Sequence, residues 1–324
     1  MLKIDSHIHV SGDHPDCVAL LDRLDIKMFN NCVASGSAMG WRAQREMYRQ
    51  LAKRYAERYA WCTTIDLPDF SPDYAERVIA ELEQDLAAGS LACKFWKNIG
   101  MEVRKPSGEF LMIDDPLFDP IYEYLIRVGK PALMHIAEPL ACWQPLVEGN
   151  PHYGYYSQHP EWHMYTKPDH PSHAEIMAAR DRVLAKHPKL RVIGAHLGSL
   201  EFDVREIAKR LDAYPNFAVD TSARVRDLAY QDPATVREFF LAYPDRILFG
   251  TDVVIRDSFA AMDPEVRQKQ VQRLEETYAS EMAYYEQDGP VTLRGVAYQG
   301  IGLPDRVLRK LYLDNARAWY PGIA

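Results

Sequence analysis

The sequence predicts an α/β fold in which eight parallel strands close into a barrel and helices surround it. Short apolar segments of strand character alternate with helical patterns along most of the chain. Eight such strand segments can be counted, and eight is the number that closes a (β/α)8 barrel. The length of 324 residues suits one such barrel with insertions. We therefore interpret residues 1–324 as a single domain.

The first half of the chain establishes the order of strand followed by helix. Lys3–Val10 alternates apolar with short polar residues, as a half-buried strand does. Asp13 and Pro15 then supply start signals for the first helix. Gly89 and Gly129 end two later helices, because glycine tolerates the left-handed conformation there. The predicted strands of this half are 3–10, 28–35, 60–65 and 91–97, and the predicted helices are 17–26, 41–59, 72–88 and 115–128.

The second half repeats this order, with strands that are almost continuously apolar, as expected for a parallel sheet buried on both faces. A further helical pattern covers residues 264–285, and a final one covers residues 304–319 as a C-terminal extension. The predicted strands are 131–137, 190–198, 217–221 and 247–252, and the predicted helices between them are 173–186, 201–211 and 233–242.

Two connections are longer than the usual 2–6 residues or so between elements. The first, Glu138–Ser172, follows the fifth strand and is rich in Trp, Tyr and His. We name it the aromatic insertion and predict a lid over the barrel, with a packing loop as the alternative. The second, Arg256–Gln299, is named the C-terminal insertion and is predicted to be scaffold.

Composition excludes several classes of function. Hydrophobic residues make up 47% and charged residues 26% of the chain, as in an average globular protein. The net charge of −8 argues against nucleic acid as a partner. No apolar run approaches the roughly 18 residues of a membrane span, and no leader pattern opens the chain. We therefore expect a cytoplasmic protein with a small-molecule partner, and leave open whether it forms a homo-oligomer.

Two histidines share one face of the first strand. His7 and His9 are two residues apart, so their side chains point the same way in an extended strand. If the strand belongs to a barrel, its C-terminal end faces the pocket where such barrels place their chemistry. Two neutral imidazoles form half of a metal site. The alternative is a pair of hydrogen-bonded histidines with no ligand.

Ligand-type side chains also close other predicted strands. Because the C-terminal ends of the strands converge, residues far apart in sequence are brought together there. Imidazoles and a carboxylate suit Zn²⁺ and similar divalent ions. The predicted metal-site residues are His7, His9, Lys94, His135, His196 and Asp252.

This set resembles the amidohydrolase superfamily, particularly the amidohydrolase 2 branch of metal-dependent TIM-barrel hydrolases. The motifs span nearly the whole chain and are Asp5-Ser6-His7-Ile8-His9, Met134-His135, Gly194-Ala195-His196-Leu197-Gly198, Phe249-Gly250-Thr251-Asp252 and Leu313-Asp314-Asn315-Ala316-Arg317. The resemblance implies one or two divalent ions, with Zn²⁺ preferred and Mn²⁺ as the alternative. It also implies that the first-strand pair, the fifth- and sixth-strand histidines and Asp252 form the site.

Lys94 has two interpretations that remain open. In two-metal members of the superfamily, a fourth-strand lysine carries a carbamate that bridges the ions, and the stretch around Lys94 resembles theirs. Alternatively, Lys94 or Lys97 stays cationic and holds a substrate carboxylate. In one-metal members, the sixth-strand position of His196 is free for acid–base or electrostatic work.

Other polar and aromatic residues near the strand ends are candidates for binding substrate. Arg224 could donate hydrogen bonds to a carboxylate or a lactone oxygen. The alternative is a solvated loop arginine, which the sequence does not distinguish. The complete set of substrate-binding candidates is Trp96, Lys97, Glu138, His163, His170, Arg224 and Arg256.

The first functional hypothesis is a metal-dependent hydrolase that splits a C–O or C–N bond. Its substrate would be a lactone or amide in a small polar molecule, carbohydrate-derived ones included. The metal would lower the pKa of bound water from 15.7 toward about 7. Asp252 would act first as general base and then as general acid, while His196 steadies the ion or the developing oxyanion.

Two other functions compete with hydrolysis. The resemblance includes single-metal, non-oxidative decarboxylases of aromatic or enol acids, which often carry a proline soon after the eighth-strand aspartate. Here Val253 follows Asp252, which favours hydrolysis. A catalytically silent binding protein should have lost a metal-site residue, and every position of the set is filled.

Overall fold

A parallel sheet forms the centre of the computed structural model, which describes residues 1–11, 14–34 and 40–323. Neighbouring strands run in the same direction around the sheet, in sequence order from the first to the eighth. The observed strands are Lys3–Val10, Ile26–Asn31, Tyr59–Thr64, Cys93–Phe95, Ala132–Met134, Val192–Gly194, Phe217–Asp220 and Ile247–Leu248, with Val253–Ile255 as a ninth segment.

The eighth barrel strand is interrupted, and the interruption closes the barrel. Ile247–Leu248 pairs with the seventh strand, whereas Val253–Ile255 pairs with the first. Between these segments, the Ser6 N–H donates to the Phe249 carbonyl at 2.9 Å, and the Asp252 N–H donates to the His7 carbonyl at 2.8 Å. The break therefore lies beside the histidine pair and includes Asp252.

Helices follow the strands and cover the outside of the barrel. The helices of ten or more residues are Pro15–Leu24, Gly40–Arg54, Tyr74–Ala87, Asp119–Val128, His173–Lys186, Val204–Ala213, Pro233–Ala242 and Pro264–Glu286. Shorter helical turns are Asn98–Met101, Pro116–Phe118, Leu140–Trp143, Tyr153–Tyr156, Pro160–Trp162, Ala195–Gly198, Val225–Ala229 and Asp257–Ala261. The chain ends in Asp305–Arg309, a π-helical turn at Lys310–Asp314, and Asn315–Trp319.

An apolar layer fills the barrel at the opposite end from the predicted site. Each barrel strand, or the residue just before it, contributes one fully buried side chain to this layer. These side chains are Ile4, Phe29, Cys62, Ala92, Leu133, Ile193, Ala218 and Leu248. Trp319 and Tyr320 of the C-terminal extension pack against the layer. Because this end is filled, the space for a ligand lies at the C-terminal ends of the strands.

The predicted α/β barrel, the aromatic insertion and the helical C-terminal extension are confirmed. Helices 173–186 and 233–242 have the predicted bounds, while several strands are shorter than predicted. The predicted helix 41–59 ends at Arg54, because Tyr59 already pairs in the third strand. Asp13 and Ser35, which belong to two predictions, lie outside the described residues. Along 1–11, 14–34 and 40–323, no helix is both long enough and apolar enough to cross a bilayer.

One pair of strands was not predicted. Pro290–Leu293 and Val296–Gln299 form an antiparallel hairpin within the C-terminal insertion. Its two-residue turn consists of Arg294 and Gly295, both with positive φ (+50° and +81°). The sequence does not predict this hairpin, because Arg-Gly is a weaker turn signal than the usual Asn-Gly or Asp-Gly pair.

Candidate metal centre and substrate cavity

Three ligand-type side chains converge at the C-terminal ends of the first and eighth strands. One ligand atom from each of His7, His9 and Asp252 lies within 4.8 Å of the other two. Asp252 Oδ1 is 3.4 Å from His9 Nε2 and 3.9 Å from His7 Nε2. His7 is fully buried, and the other two side chains are partly exposed. The arrangement can hold a cation that remains accessible from one side.

Asp220 fixes the orientation of His7. Its Oδ2 lies 2.9 Å from His7 Nδ1, with both side chains fully buried. Because a carboxylate can only accept, Nδ1 carries the proton and Nε2 presents its lone pair toward the site. The other oxygen of Asp220 accepts the backbone N–H groups of His196 at 2.9 Å and Ser222 at 3.1 Å. Asp220 thus ties the histidines of two strands to the seventh strand.

His196 and His135 extend the cluster. The ring centre of His196 lies 4.7 Å from that of His7 and 4.3 Å from that of His135. His196 Nδ1 is 2.9 Å from the Ser222 carbonyl oxygen, so Nδ1 carries the proton and Nε2 is left as an acceptor. His135 Nε2 is buried and has no hydrogen-bond partner among the described residues. A buried nitrogen without a partner is the kind of group that a bound ion would satisfy.

Burial keeps the four histidines neutral. It lowers the pKa of His7, His9, His135 and His196 well below the usual value, and neighbouring cationic groups, such as Lys94, lower it further. Neutral imidazole is the form that ligates metal ions. These side chains therefore fit a divalent ion. They supply neutral donor atoms, the His7 Nε2 lone pair is oriented toward the site, and His135 Nε2 has no other partner among the described residues.

Lys94 reaches into the same cluster. Its Nζ lies 2.8 Å from His7 Nε2, and its side chain is fully buried. Burial lowers the pKa of Lys94 to about 8, although Asp252 favours its charged form. This position is on the ligand side of the site, whereas Lys97 lines the cavity. Both interpretations of Lys94 therefore stay predictions, with its Nζ among the ligand atoms.

Asp252 occupies an unusual backbone position. Its φ is +62°, in the left-handed region that non-glycine residues rarely adopt. The preceding Thr251 is held by Asp5, which accepts its N–H at 3.0 Å and its hydroxyl at 2.5 Å. Burial raises the pKa of Asp252 to about 6, against the opposing effects of Lys94 and Arg224. Backbone strain of this type persists where the surrounding structure enforces it, often at functional sites.

A cavity of about 290 Å³ opens over this cluster. Its inner end is formed by residues of four strand ends, Lys97, His135, His196 and Asp252. The aromatic insertion contributes the wall residues Glu138, His152 and Tyr155. The predicted position of this insertion, over the strand ends, agrees with this lining, while its movement as a lid stays a prediction.

Lys97 and Glu138 form a buried ion pair at the inner wall. The Tyr156 hydroxyl donates to the second oxygen of Glu138 at 3.0 Å. The Lys97 ammonium lies 3.7 Å from the ring centre of Trp162, in a cation–π contact. Both charged groups therefore have partners within the protein before any substrate binds.

Four predicted substrate-binding residues do not line this cavity. His163 bonds the Gln144 carbonyl at 2.9 Å, and the Trp96 ring packs against Trp162. His170 lies against Phe110 in a separate surface pocket, and Arg256 is exposed. None of these four lines the cavity in this structure, and their contact with substrate stays a prediction.

Other cavity residues are not predicted by the sequence. The segment after the seventh strand contributes Arg226 and Tyr230 besides the predicted Arg224. The C-terminal insertion contributes Glu281 and Arg294, so the prediction that this insertion is only scaffold is wrong. Asp220 could have been found as a buried aspartate closing an apolar strand. For the insertion residues, no sequence signal indicates that they face the cavity.

Comparison with known proteins agrees with this architecture. A family model described as Amidohydrolase matches residues 4–322. A comparison with curated protein sequences returns no match.

Several solved structures share the fold. A 2,6-dihydroxybenzoate decarboxylase from Rhizobium is 16% identical with a TM-score of 0.59, covering 99% of this chain and 98% of its own. A 5-carboxyvanillate decarboxylase from Sphingomonas paucimobilis is 13% identical with a TM-score of 0.53, covering 98% of both chains. A 4-oxalomesaconate hydratase from Rhodopseudomonas palustris is 12% identical with a TM-score of 0.53, covering 99% of this chain and 96% of its own. Identities this low show a common fold and leave the reaction open.

Proposed function

The chain belongs to the Amidohydrolase family, and from this premise we propose that it is a metal-dependent hydrolase. Its substrate would be a lactone or amide in a small polar molecule, in which it cleaves a C–O or C–N bond. Family membership supports an enzyme that acts on small molecules with the help of a metal ion. The observation that carries the proposal is the convergence of His7, His9 and Asp252 beneath the cavity.

In this proposal His7, His9, His135 and Asp252 hold one divalent ion, with Zn²⁺ preferred and Mn²⁺ as the alternative. Carboxylated Lys94 and His196 would complete a site for a second ion. A bound divalent ion supplies Lewis-acid charge and lowers the pKa of a water molecule. The remaining chemistry is assigned to side chains of this chain.

Asp252 is the proposed proton carrier, because it both belongs to the ligand cluster and lines the cavity. Its carboxylate takes one proton from the water whose oxygen forms the new bond to the carbonyl carbon. The bond from that carbon to the leaving oxygen or nitrogen then breaks. Asp252 returns the proton to the leaving atom, so the carboxylate is regenerated at the end of the cycle.

The role proposed for His196 follows from its tautomer. Since Nδ1 donates to the Ser222 carbonyl, neutral His196 offers an acceptor and no donor at Nε2. It is therefore suited to ligation or proton acceptance, whereas stabilising an oxyanion requires a donor. Of the two roles expected for it from sequence, we retain support of the ion.

A substrate screen with separate detection of the possible products tests the proposal. Lactones, amides and aromatic acids are offered to protein loaded with Zn²⁺ or Mn²⁺, and proton release, free ammonia or amine, and carbon dioxide are recorded separately. Hydrolysis predicts proton release from a lactone, or free ammonia or amine from an amide, whose carboxylate and ammonium products leave no net proton at neutral pH. Neither reaction gives carbon dioxide, and Asp252→Asn should lose the activity. Carbon dioxide from an aromatic or enol acid would instead establish the decarboxylase alternative. Turnover of none of these classes by fully loaded protein would count against both.

A further inference from the structure

Three arginines line the cavity, and two of them have unsatisfied donors. The Nε groups of Arg224 and Arg226 are buried without a hydrogen-bond partner among the described residues. Leaving a buried donor unpaired costs about 1–3 kcal/mol, and more for a charged group. Both side chains line the same cavity. These Nε groups are themselves closed to solvent, so an anion in the cavity would be attracted by the positive charge of the guanidinium groups and not bonded at Nε.

The third arginine comes from the hairpin of the C-terminal insertion. Arg294 occupies the first position of the two-residue turn, with a φ of +50° that favours glycine, asparagine or aspartate. Despite this unfavourable backbone conformation, an arginine stands there and lines the cavity. A long cationic side chain at the tip of a hairpin can reach a ligand as it enters.

The hairpin is fixed beside Arg226. The Tyr298 ring of its second strand packs edge-on against Tyr230, with 5.8 Å between ring centres. The Tyr230 hydroxyl in turn accepts a hydrogen bond of 2.5 Å from Arg226 Nη2. Through these contacts the hairpin and the segment after the seventh strand form one wall of the cavity.

The carboxyl groups around the cavity only partly offset these arginines. Glu138 is paired with Lys97, and Asp227 lies 2.9 Å from His152 Nε2. Burial raises the pKa of Glu201 to about 7 and holds that of Glu281 well above its usual value. Asp252 belongs to the metal centre. The outer part of the cavity therefore retains an excess of positive charge near neutral pH.

We propose that the outer end of the cavity is an anion subsite, in which Arg226 and Arg294 bind a carboxylate of the substrate. The inner end is marked by buried His196 and the outer end by exposed Tyr230 and Arg294. The bound carboxylate is thus separate from the bond that reacts. A single carboxylate fits better than a phosphate dianion, because Glu138 and Asp227 share the cavity and oppose higher negative charge.

This inference rests on the proposed function only in placing the reaction at the inner end. It narrows the substrate class to small acids whose carboxylate lies remote from the lactone or amide bond. Guanidinium groups suit this task, since they form forked hydrogen bonds to carboxylates. The subsite would select among substrates and would not take part in bond cleavage.

Binding of matched acids and amides tests the subsite without requiring turnover. Benzoate with benzamide, and glutarate with glutaramide, are titrated calorimetrically into wild type and into the His7→Ala/His9→Ala variant. The variant lacks two of the proposed metal ligands. Binding of an acid to a metal ion therefore cannot be mistaken for binding at the arginines. In both proteins we expect at least one acid to bind about tenfold or more tightly than its amide.

Substitutions of Arg294, with Arg273 as control, then test whether the preference for the acid depends on Arg294. Arg294→Gln should remove most of the preference for the acid, and Arg294→Lys should retain part of it, because lysine keeps the charge and loses the fork. Arg273→Gln is the matched control, since Arg273 is exposed and lines only the neighbouring pocket. Thermal unfolding of each variant verifies that it is folded.

Three results would overturn the proposal. The first is that no acid binds better than its amide at millimolar concentration. The second is an acid preference that is equal in wild type and Arg294→Gln. The third is tighter binding of inorganic phosphate than of either acid with the same dependence on Arg294, which would assign the subsite to phosphate. Metal content and hydrolysis are measured separately, so failure of the proposed function would be recognised as such.

Discussion

The two ends of the cavity are built differently. The inner end consists of side chains at the ends of barrel strands, held by a buried network in which Asp220 contacts His7, His196 and Ser222. The outer end consists of the segment after the seventh strand together with the aromatic insertion and the C-terminal insertion. Rigid strands suit a metal centre, which requires fixed ligand geometry, while insertions can vary without disturbing it. We infer that the barrel determines the reaction and the insertions determine the substrate.

The largest effect is expected from Asp252 at the inner end. Asp252→Asn keeps the shape of the side chain but removes its basicity, so kcat should fall by about 10²–10⁴-fold. Steady-state kinetics on a substrate from the screen, with circular dichroism to confirm folding, measures this. Asp212→Asn, on the exposed surface, should behave as wild type. If more than about a tenth of kcat remains, another group moves the proton.

A buried carboxyl group that contacts the aromatic insertion, Glu201, should make the stability of the protein depend on pH. Glu201 is buried beneath the aromatic insertion, where its Oε1 accepts the Leu140 N–H at 2.9 Å. Because burial raises its pKa from 4.5 to about 7, its stabilising contribution is complete below pH 4.5 and is lost as the pH rises to 7. Each pKa unit corresponds to about 1.4 kcal/mol, so the difference between 4.5 and about 7 limits the loss to about 3.5 kcal/mol.

Urea unfolding of wild type and Glu201→Gln at several pH values isolates this effect. The free energy of unfolding of wild type should fall relative to that of the variant between pH 4.5 and 7, and the gap should stay constant above that range. Glu148→Gln, at an exposed position of the aromatic insertion, serves as control. A difference independent of pH would show that the pKa of Glu201 is the same in the folded and unfolded protein.

Substitution of Asp220 tests whether the hydrogen bonds that hold the histidines contribute to metal affinity. Asp220→Asn should leave the strand folded but weaken the hydrogen bond that His7 Nδ1 donates. Metal affinity should therefore drop by about 10–100-fold. Competition with a chromogenic chelator measures the affinity. Asp227→Asn, at the outer end beside His152, should leave it unchanged. Equal losses in both variants would remove the distinction between the two ends.

The smallest expected effect is a change in the number of metal ions bound per chain in Lys94→Ala. If Lys94 bridges two ions as a carbamate, Lys94→Ala should lower the metal content from about two to about one or fewer per chain, and bicarbonate should assist reconstitution of wild type alone. Lys97→Ala should keep its metal and raise KM, since Lys97 lines the cavity. Normal metal content in Lys94→Ala would exclude the bridging role.

The inner end could be predicted from sequence because strand periodicity determines it. His7 and His9 lie on one face of a strand, and barrel geometry brings His135, His196 and Asp252 to the same place from distant positions. The order of strands and helices was predictable for the same reason, since apolar alternation is a local signal. The interruption of the eighth strand was not predictable, because it depends on pairing with the first strand, far away in sequence.

The outer end could not be predicted because tertiary contacts alone create it. Nothing near Arg294 in the sequence indicates that a hairpin turn carries it to the cavity, and the packing of Tyr298 on Tyr230 is equally non-local. His163 and His170 show the opposite case. Their residue type predicted substrate contact, whereas in the structure they contact a backbone carbonyl and a phenylalanine ring and do not line the cavity. Residue type does not by itself indicate which residues of an insertion face a cavity.

The central claim is that the inner end binds a divalent metal ion through the first-strand histidines. Elemental analysis by plasma mass spectrometry, after growth in metal-replete medium and reconstitution with Zn²⁺ or Mn²⁺, tests it most directly. We expect about one or two equivalents in wild type and none retained by His7→Ala/His9→Ala, with both proteins folded by circular dichroism. Wild type that neither carries metal nor is activated by Zn²⁺ or Mn²⁺, or a double variant with undiminished metal content, would contradict the account.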